Sequence, residues 1–232
     1  MMRGIRTASA LMAAFVLAPV GVTAQQAFEG TVAYSMQMNN NMNIDMVHHV
    51  KGDKVRQEMS GVPGMGEMVV LLDMNTMQMN MLMPAQQAYM SMDLNAMANA
   101  QMQQNEMEVP EITRTGQMET VAGHECENVT IAMNQGTINM CVATDLGYYF
   151  MGGGPSGGRG MGASPAAGMS EQMQAKIREM FGDGFFPLKV NVSQNGQNIV
   201  MTATSIEKGS VSDDLFKIPE GYTKMPGMGG GN

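Results

Sequence analysis

Residues 67–83 read EMVVLLDMNTMQMNMLM, which is two short apolar segments joined by a polar turn. The first segment, 68–72, is apolar throughout, and the turn at 73–76 contains Asp, Asn and Thr. The second segment alternates between methionine and other residues, and such alternation places one residue type on a single face of a strand. The sequence therefore predicts a pair of strands with a methionine stripe, made of Met77, Met79, Met81 and Met83.

The same strand pattern extends over most of the chain on both sides of this stretch. Before it, strands are predicted at 31–38, 44–50 and 54–59. After it, strands are predicted at 88–92, 126–133, 137–143, 186–193 and 198–206. The dipeptide Asn195-Gly196, the strongest hairpin signal in the chain, joins the last two. Short strands at regular spacing indicate an antiparallel sheet or barrel.

Two segments have helical spacing instead. Asp93 to Met107 is predicted as a helix that Asp93 caps, and Glu171 to Phe181 as a helix between Ser170 and Gly182. On the second helix, Met173, Ile177 and Met180 share one face. The predicted fold is α+β, a curved antiparallel sheet that forms an incomplete barrel and is wrapped on the two helices.

The first 24 residues predict export. Residues 1–24 combine a basic start, an apolar run at 8–20 and the small residues Val22-Thr23-Ala24, as in a signal peptide cleaved after Ala24. The apolar run is too short to be a permanent anchor, so we expect a periplasmic protein without a transmembrane segment. The mature chain is predicted to be a single domain, 25–225, with a flexible Gly-rich loop at 151–168 and a flexible tail at 226–232.

Composition narrows the classes of partner. The net charge is −8, and removal of the signal peptide with Arg3 and Arg6 makes it about −10, which argues against nucleic acid because such binding rests on Lys and Arg. The chain has 31 methionines but no tryptophan, so much of its core must be methionine. A methionine-rich core is adaptable, because the side chain is unbranched and flexible.

The two cysteines, Cys126 and Cys141, are expected to form a disulfide in an exported protein. In a hairpin that closes near Met133 and Asn134, they would lie directly opposite one another. Their neighbours Glu125 and Glu127 are acidic, which disfavours a reactive thiolate and makes the bridge structural. Two free, buried thiols are the alternative.

The methionine stripe has three interpretations. In the first, it is the buried face of a sheet or the wall of an apolar cavity. In the second, its thioethers bind Cu(I), and His48 or His49 adds a nitrogen ligand. It could also scavenge oxidants, since sulfoxide formation is reversible. Methionines are scattered over the whole chain, which disfavours one discrete metal site. The adjacent His48 and His49 point to opposite faces of a strand, so they cannot share one metal.

No catalytic pattern is present in the sequence. There is no Gly-x-Ser-x-Gly and no His-Glu-x-x-His, and the Gly-rich loop lacks the Gly-Lys-Ser/Thr ending of a phosphate loop. We therefore expect a protein that is not an enzyme and has no cofactor or resident metal.

Five segments together resemble a known family, the first of which is Thr115–Gln117 (TGQ). The other four are Val121–Cys126 (VAGHEC), Thr144–Gly147 (TDLG), Phe186–Lys189 (FPLK) and Leu215–Tyr222 (LFKIPEGY). The chain, from Phe28 to Tyr222 without the Gly-rich loop, resembles the exported bacterial family called domain of unknown function 4412. That family is similar to the periplasmic lipoprotein carrier LolA and its mycobacterial lipid-binding relatives. The resemblance implies a strongly curved, incomplete barrel with helices in its opening, and a cavity for acyl chains.

Together these patterns predict an exported, non-catalytic protein that binds an apolar ligand, either a lipid or a lipidated protein. The ligand cavity is expected to be lined by methionines of the stripe and by the second helix. Its predicted lining residues are Met77, Met79, Met81, Met83, Met173, Ile177 and Met180. The alternative is a periplasmic protein that binds Cu(I) or responds to metal stress.

Overall fold

The architecture is that of one large, curved and unclosed antiparallel sheet. A computed structural model describes residues 28–38, 42–61, 66–96, 111–133, 136–149, 171–182, 184–194 and 196–226. The predicted signal peptide, the Gly-rich loop, residues 97–107 of the first predicted helix and the tail beyond residue 226 lie outside these ranges.

Twelve strands and one longer helix make up the described residues. The strands are β1 Glu29–Met38, β2 Met42–Lys51, β3 Lys54–Ser60, β4 Met68–Asp73, β5 Gln78–Met83, β6 Ala88–Asp93, β7 Glu111–Val121, β8 His124–Met133, β9 Gly136–Ala143, β10 Phe186–Gln194, β11 Gln197–Lys208 and β12 Thr223–Lys224. The helix, α1, is Glu171–Phe181. The strand order is β12-β6-β5-β4-β3-β2-β1-β11-β10-β9-β8-β7, and only the β12–β6 pair is parallel.

The predicted strands are confirmed, and two strands are additional. β7 was missed because most of its side chains are exposed, so it lacks an apolar period. Its signal was the turn that follows: Ala122 and Gly123 both have positive φ (49° and 83°), as a two-residue hairpin requires. β12 is two residues long and could not be recognised from its pattern.

The sheet curls around one face, which we call the inner face and define by Tyr34, Met46 and Val70. Register places these side chains on one side. Tyr34 lies opposite Met46. Val70 lies opposite Gln57, which lies opposite His48, two residues from Met46 on the same strand. The Tyr34 hydroxyl donates to the carbonyl of Pro187 on β10, 3.3 Å away, and β7 reaches back to contact β11. Phe186 and Leu188, near the start of β10, pack in one cluster with Tyr34 and Met46.

The disulfide between Cys126 and Cys141 is present and joins β8 to β9, with the two Cα atoms 5.2 Å apart. The predicted register of this hairpin is wrong. Asn128, not Cys126, lies opposite Cys141, and Met133 pairs with Gly136. The hairpin closes one residue later than expected, which shifts every opposed pair by two. The cysteines are consequently diagonal neighbours, a separation that a disulfide still spans.

Helix α1 packs on the half of the sheet formed by β7–β10. Ile177 and Phe181 are buried against apolar side chains of these strands, among them Ile112, Val129 and Met140. Arg114 on β7 fastens the end of the helix: its Nη1 donates to the carbonyl of Met180 (2.9 Å), and its guanidinium lies over the Phe181 ring.

The first predicted helix begins where expected. The Asp93 side chain accepts hydrogen bonds from the backbone N–H groups of Asn95 and Ala96 (2.8 and 3.2 Å), which is the geometry of a helix N-cap. Residues 94–96 form a helical turn. Since the rest lies outside the described residues, a sheet wrapped on two helices remains a prediction.

The C-terminal segment covers the outer face of β3–β6. Ile218 and Tyr222 pack on Val69, Leu71 and Leu82, and the carbonyl of Leu215 accepts a hydrogen bond from Arg56 (3.1 Å). β4 is therefore buried on both faces, which explains why its sequence is continuously apolar rather than alternating.

Candidate functional site

Met79, Met81 and Met83 of the methionine stripe lie on the inner face, as alternation predicts, whereas Met77 lies in the preceding turn and not on the strand. Met79 is opposite Leu72 and Met81 is opposite Val70 on β4, while the next strand, β6, places Met92 and Met90 beside them. Met79 is only 1% exposed and belongs to a stripe cluster with Val70, Leu72 and Leu94. Met83 is half-buried at the strand end, and Met77 is half-buried in the preceding turn with φ of 51°.

The helix residues of the predicted site lie in a different part of the core. Ile177 is 1% exposed in a helix cluster with Phe181 and Phe185, and Met180 packs at its margin. Residue 173 is within α1, but its side chain lies outside the described set. Phe181 and Phe185 are both buried in this cluster.

A central cluster separates the stripe cluster from the helix cluster. It is built on Val32, Tyr34, Met46, Leu188 and Phe186, among other residues. Met59 contacts both the central and the stripe clusters, and Val190 contacts both the central and the helix clusters. The predicted lining residues thus belong to separate clusters that the central cluster links, and they do not form a single contact group.

His48 interrupts this apolar face. It is 4% exposed and, apart from buried tyrosines, is the buried polar residue of the described ranges. Its Nδ1 lies 2.6 Å from the hydroxyl of Tyr149, and its ring is 5.0 Å from that of Tyr34. Burial, reinforced by the neighbouring His49, lowers the pKa of His48 to about 3, so its ring is neutral at physiological pH.

The two tyrosines around His48 also stay uncharged. Burial raises the pKa of Tyr149, and burial together with the nearby Tyr149 raises that of Tyr34. His48, Tyr34 and Tyr149 therefore bring hydrogen-bonding groups but no charge to the described centre of the inner face.

The outer face at the same strands is polar and charged. His49 Nδ1 lies 3.0 Å from the Thr31 hydroxyl, and its Nε2 lies 3.8 Å from Glu58, which also pairs with Arg56 (2.6 Å). His48 and His49 thus point to opposite faces, which confirms that they cannot share a metal. Burial lowers the pKa of His49 against the opposing effect of Glu58.

One group of potential metal-ligating side chains occurs in the described part of the chain, comprising Glu119, Cys126 and Cys141. Both sulfurs are consumed by the disulfide, so neither offers a thiolate to an ion. Glu119 instead accepts from Lys189 at 3.2 Å.

Sequence reasoning missed the His48–Tyr149 pair. Ile44, Met46 and Val50 alternate on an apolar strand face, and His48 occupies a position within that series. This position indicates that His48 is buried, but its partner is 101 residues away along the chain and only the fold reveals it.

The fold and the apolar inner face define a β-rich protein of the unclosed-barrel type, with one apolar face enclosed by the curl. None of the helices in the described ranges is long and apolar enough to cross a membrane. The chain belongs to the family "Domain of unknown function (DUF4412)", which it matches over residues 28–222. No curated protein matches it in sequence.

Solved structures share parts of this architecture at low sequence identity. An uncharacterized conserved protein from Thermus thermophilus is 5% identical with a TM-score of 0.51, over 85% of this chain and 90% of that one. PNGF-II is 16% identical with a TM-score of 0.43 over 86% of this chain, which spans only 31% of its length. LprF from Mycobacterium bovis is 10% identical with a TM-score of 0.33, over 79% of this chain and 88% of that one.

Proposed function

We propose that this protein is an exported, non-catalytic carrier that holds an apolar ligand, a lipid or a lipidated protein, against the inner face of its sheet. The methionine stripe and the helix face with Met173, Ile177 and Met180 contribute to the two ends of that surface. The predicted export signal at 1–24 supports a carrier that works in the periplasm. The acidic net charge of the protein disfavours binding to nucleic acid or to anionic headgroups.

The observation that carries the proposal is a series of half-buried methionines on an inner face that is apolar for most of its extent. Met59, Met83, Met90 and Met92 are each half-buried there, next to the fully buried Met79. Flexible thioether side chains repack at small cost, so this surface suits acyl chains of different length and shape. Burial of such a chain is favourable because each methylene contributes about 0.8 kcal/mol.

The Cu(I) alternative has less support. Met79 packs among Val70, Leu72 and Leu94, an ordinary apolar environment. Replacing Met77, Met79, Met81 and Met83 by leucine should leave any metal affinity unchanged if the stripe is apolar lining. Loss of Cu(I) binding in a competition titration of that variant would favour the metal instead.

Displacement of a fluorescent fatty acid from delipidated mature protein tests the carrier function. We expect saturable binding, and about tenfold weaker binding for Met90→Asp, because a carboxylate beside Met81 opposes an acyl chain. Met118→Asp is the matched control, since Met118 is 60% exposed on β7. Absence of saturable binding by the wild type, or equal loss in both variants, would contradict the proposal.

A further inference from the structure

We propose that His48 donates a hydrogen bond from Nε2 to the carbonyl oxygen of an acyl ligand, so that the site selects uncharged acyl esters, amides or acids over bare hydrocarbon. This inference rests on the proposed carrier function and adds its polar contact. It arises from His48, whose buried Nε2 lacks a hydrogen-bond partner on the described inner face.

The hydrogen-bond pattern around His48 favours one of the two neutral tautomers. The Tyr149 hydroxyl has one proton and lies 2.6 Å from Nδ1. If Tyr149 donates to Nδ1, the proton of the ring is on Nε2, and a single group is left without a partner. In the other tautomer, the Tyr149 proton and the Nε2 lone pair would both lack partners, which costs more free energy.

Nε2 is buried and has no hydrogen-bond partner among the described residues. Buried donors of this kind are nearly always satisfied, and leaving one unpaired costs free energy. The free protein carries this cost at His48, which lies in the middle of β2 between Met46 and Val50. An acceptor that arrives with the ligand removes the penalty, so the unpaired N–H favours the bound state.

The surroundings determine the class of acceptor. Gln57 lies directly opposite His48 on β3, where its amide makes only a weak contact with the Met46 sulfur (3.4 Å). Met46 and Met59 are flexible neighbours that can move aside for an acyl chain. With a neutral imidazole, neutral tyrosines and no described charge on this part of the inner face, the site offers a dipole rather than a cation. A carbonyl oxygen fits, whereas an ionised phosphate would be buried without a counter-charge.

The test compares methyl dodecanoate with tetradecane, an alkane of about the same length, in a displacement assay on full-length mature protein. His48→Phe keeps an aromatic side chain at this position and removes the Nε2–H donor. We expect this variant to bind the ester about tenfold more weakly while its alkane affinity changes less than about twofold. No binding of either probe by the wild type would refute the carrier function itself. Binding of both that His48→Phe leaves unchanged would overturn only the role of His48.

Nitrogen NMR of the wild type tests the role of His48 even if the variant folds poorly. With ¹⁵N-labelled histidine, free protein should show protonated Nε2 and unprotonated Nδ1 for His48. Titration with methyl dodecanoate should move the Nε2–H resonance, and tetradecane should not. A proton on Nδ1, or an Nε2–H resonance that exchanges with water and ignores the ester, would overturn the proposal.

Discussion

Acidification should destabilise this protein through His48, and His48→Phe should remove that sensitivity. The folded-state pKa is about 3, against about 6.5 in the unfolded chain, so the unfolded state binds the proton first as pH falls. Stability from this group is complete above the unfolded pKa and decreases as pH falls towards the folded value. Between pH 7 and pH 5 the loss is about 2 kcal/mol.

The assay is urea unfolding at pH 7, 6 and 5 with the disulfide intact, for wild type and His48→Phe. The substitution also leaves the Tyr149 hydroxyl without its partner, which changes stability at every pH, so the informative quantity is the difference in pH dependence. His49→Phe is the control: its ring is less buried and Glu58 opposes the shift, so it should reduce acid sensitivity less. Equal losses of stability for wild type and His48→Phe would refute the reasoning.

Three further predictions concern export, the bridge and the outer face. The mature protein isolated from the cell envelope should begin at Gln25 by N-terminal mass analysis, and an intact Met1 would contradict this. Replacing Cys126 and Cys141 by serine should cost about 2–4 kcal/mol in urea unfolding, whereas thiol labelling of both in native protein would exclude the bridge. Leu82→Ala should cost about 2–5 kcal/mol because Leu82 is buried beneath the C-terminal segment, and a near-neutral effect would contradict that packing.

Local patterns made most of the sheet predictable. Alternation in β5 and continuous apolarity in β4 each reflect which faces are buried, and the Asp93 cap follows from its side-chain oxygen. β7 was not predicted because its exposed side chains have no apolar periodicity. The register of the cysteine hairpin was wrong because the position of the turn determines every opposed pair, and the turn lies one residue later than predicted.

The candidate site was less predictable, because it depends on contacts between distant segments. The stripe and the helix face were each recognised by spacing, but their separation by a central cluster follows from strand order. Burial of His48 could be inferred from its place between Met46 and Val50. Its bond to Tyr149 could not, since no local pattern relates residues so far apart in the chain.

The most direct test of the carrier function is native mass spectrometry of the protein purified, without detergent, from its own cell envelope. We expect a fraction of the protein with added mass that dissociates as an acyl-containing lipid or lipidated peptide, and a smaller fraction for Met90→Asp. A wild-type spectrum that shows only the mass of the mature chain, from cells in which the protein is fully folded, would contradict it.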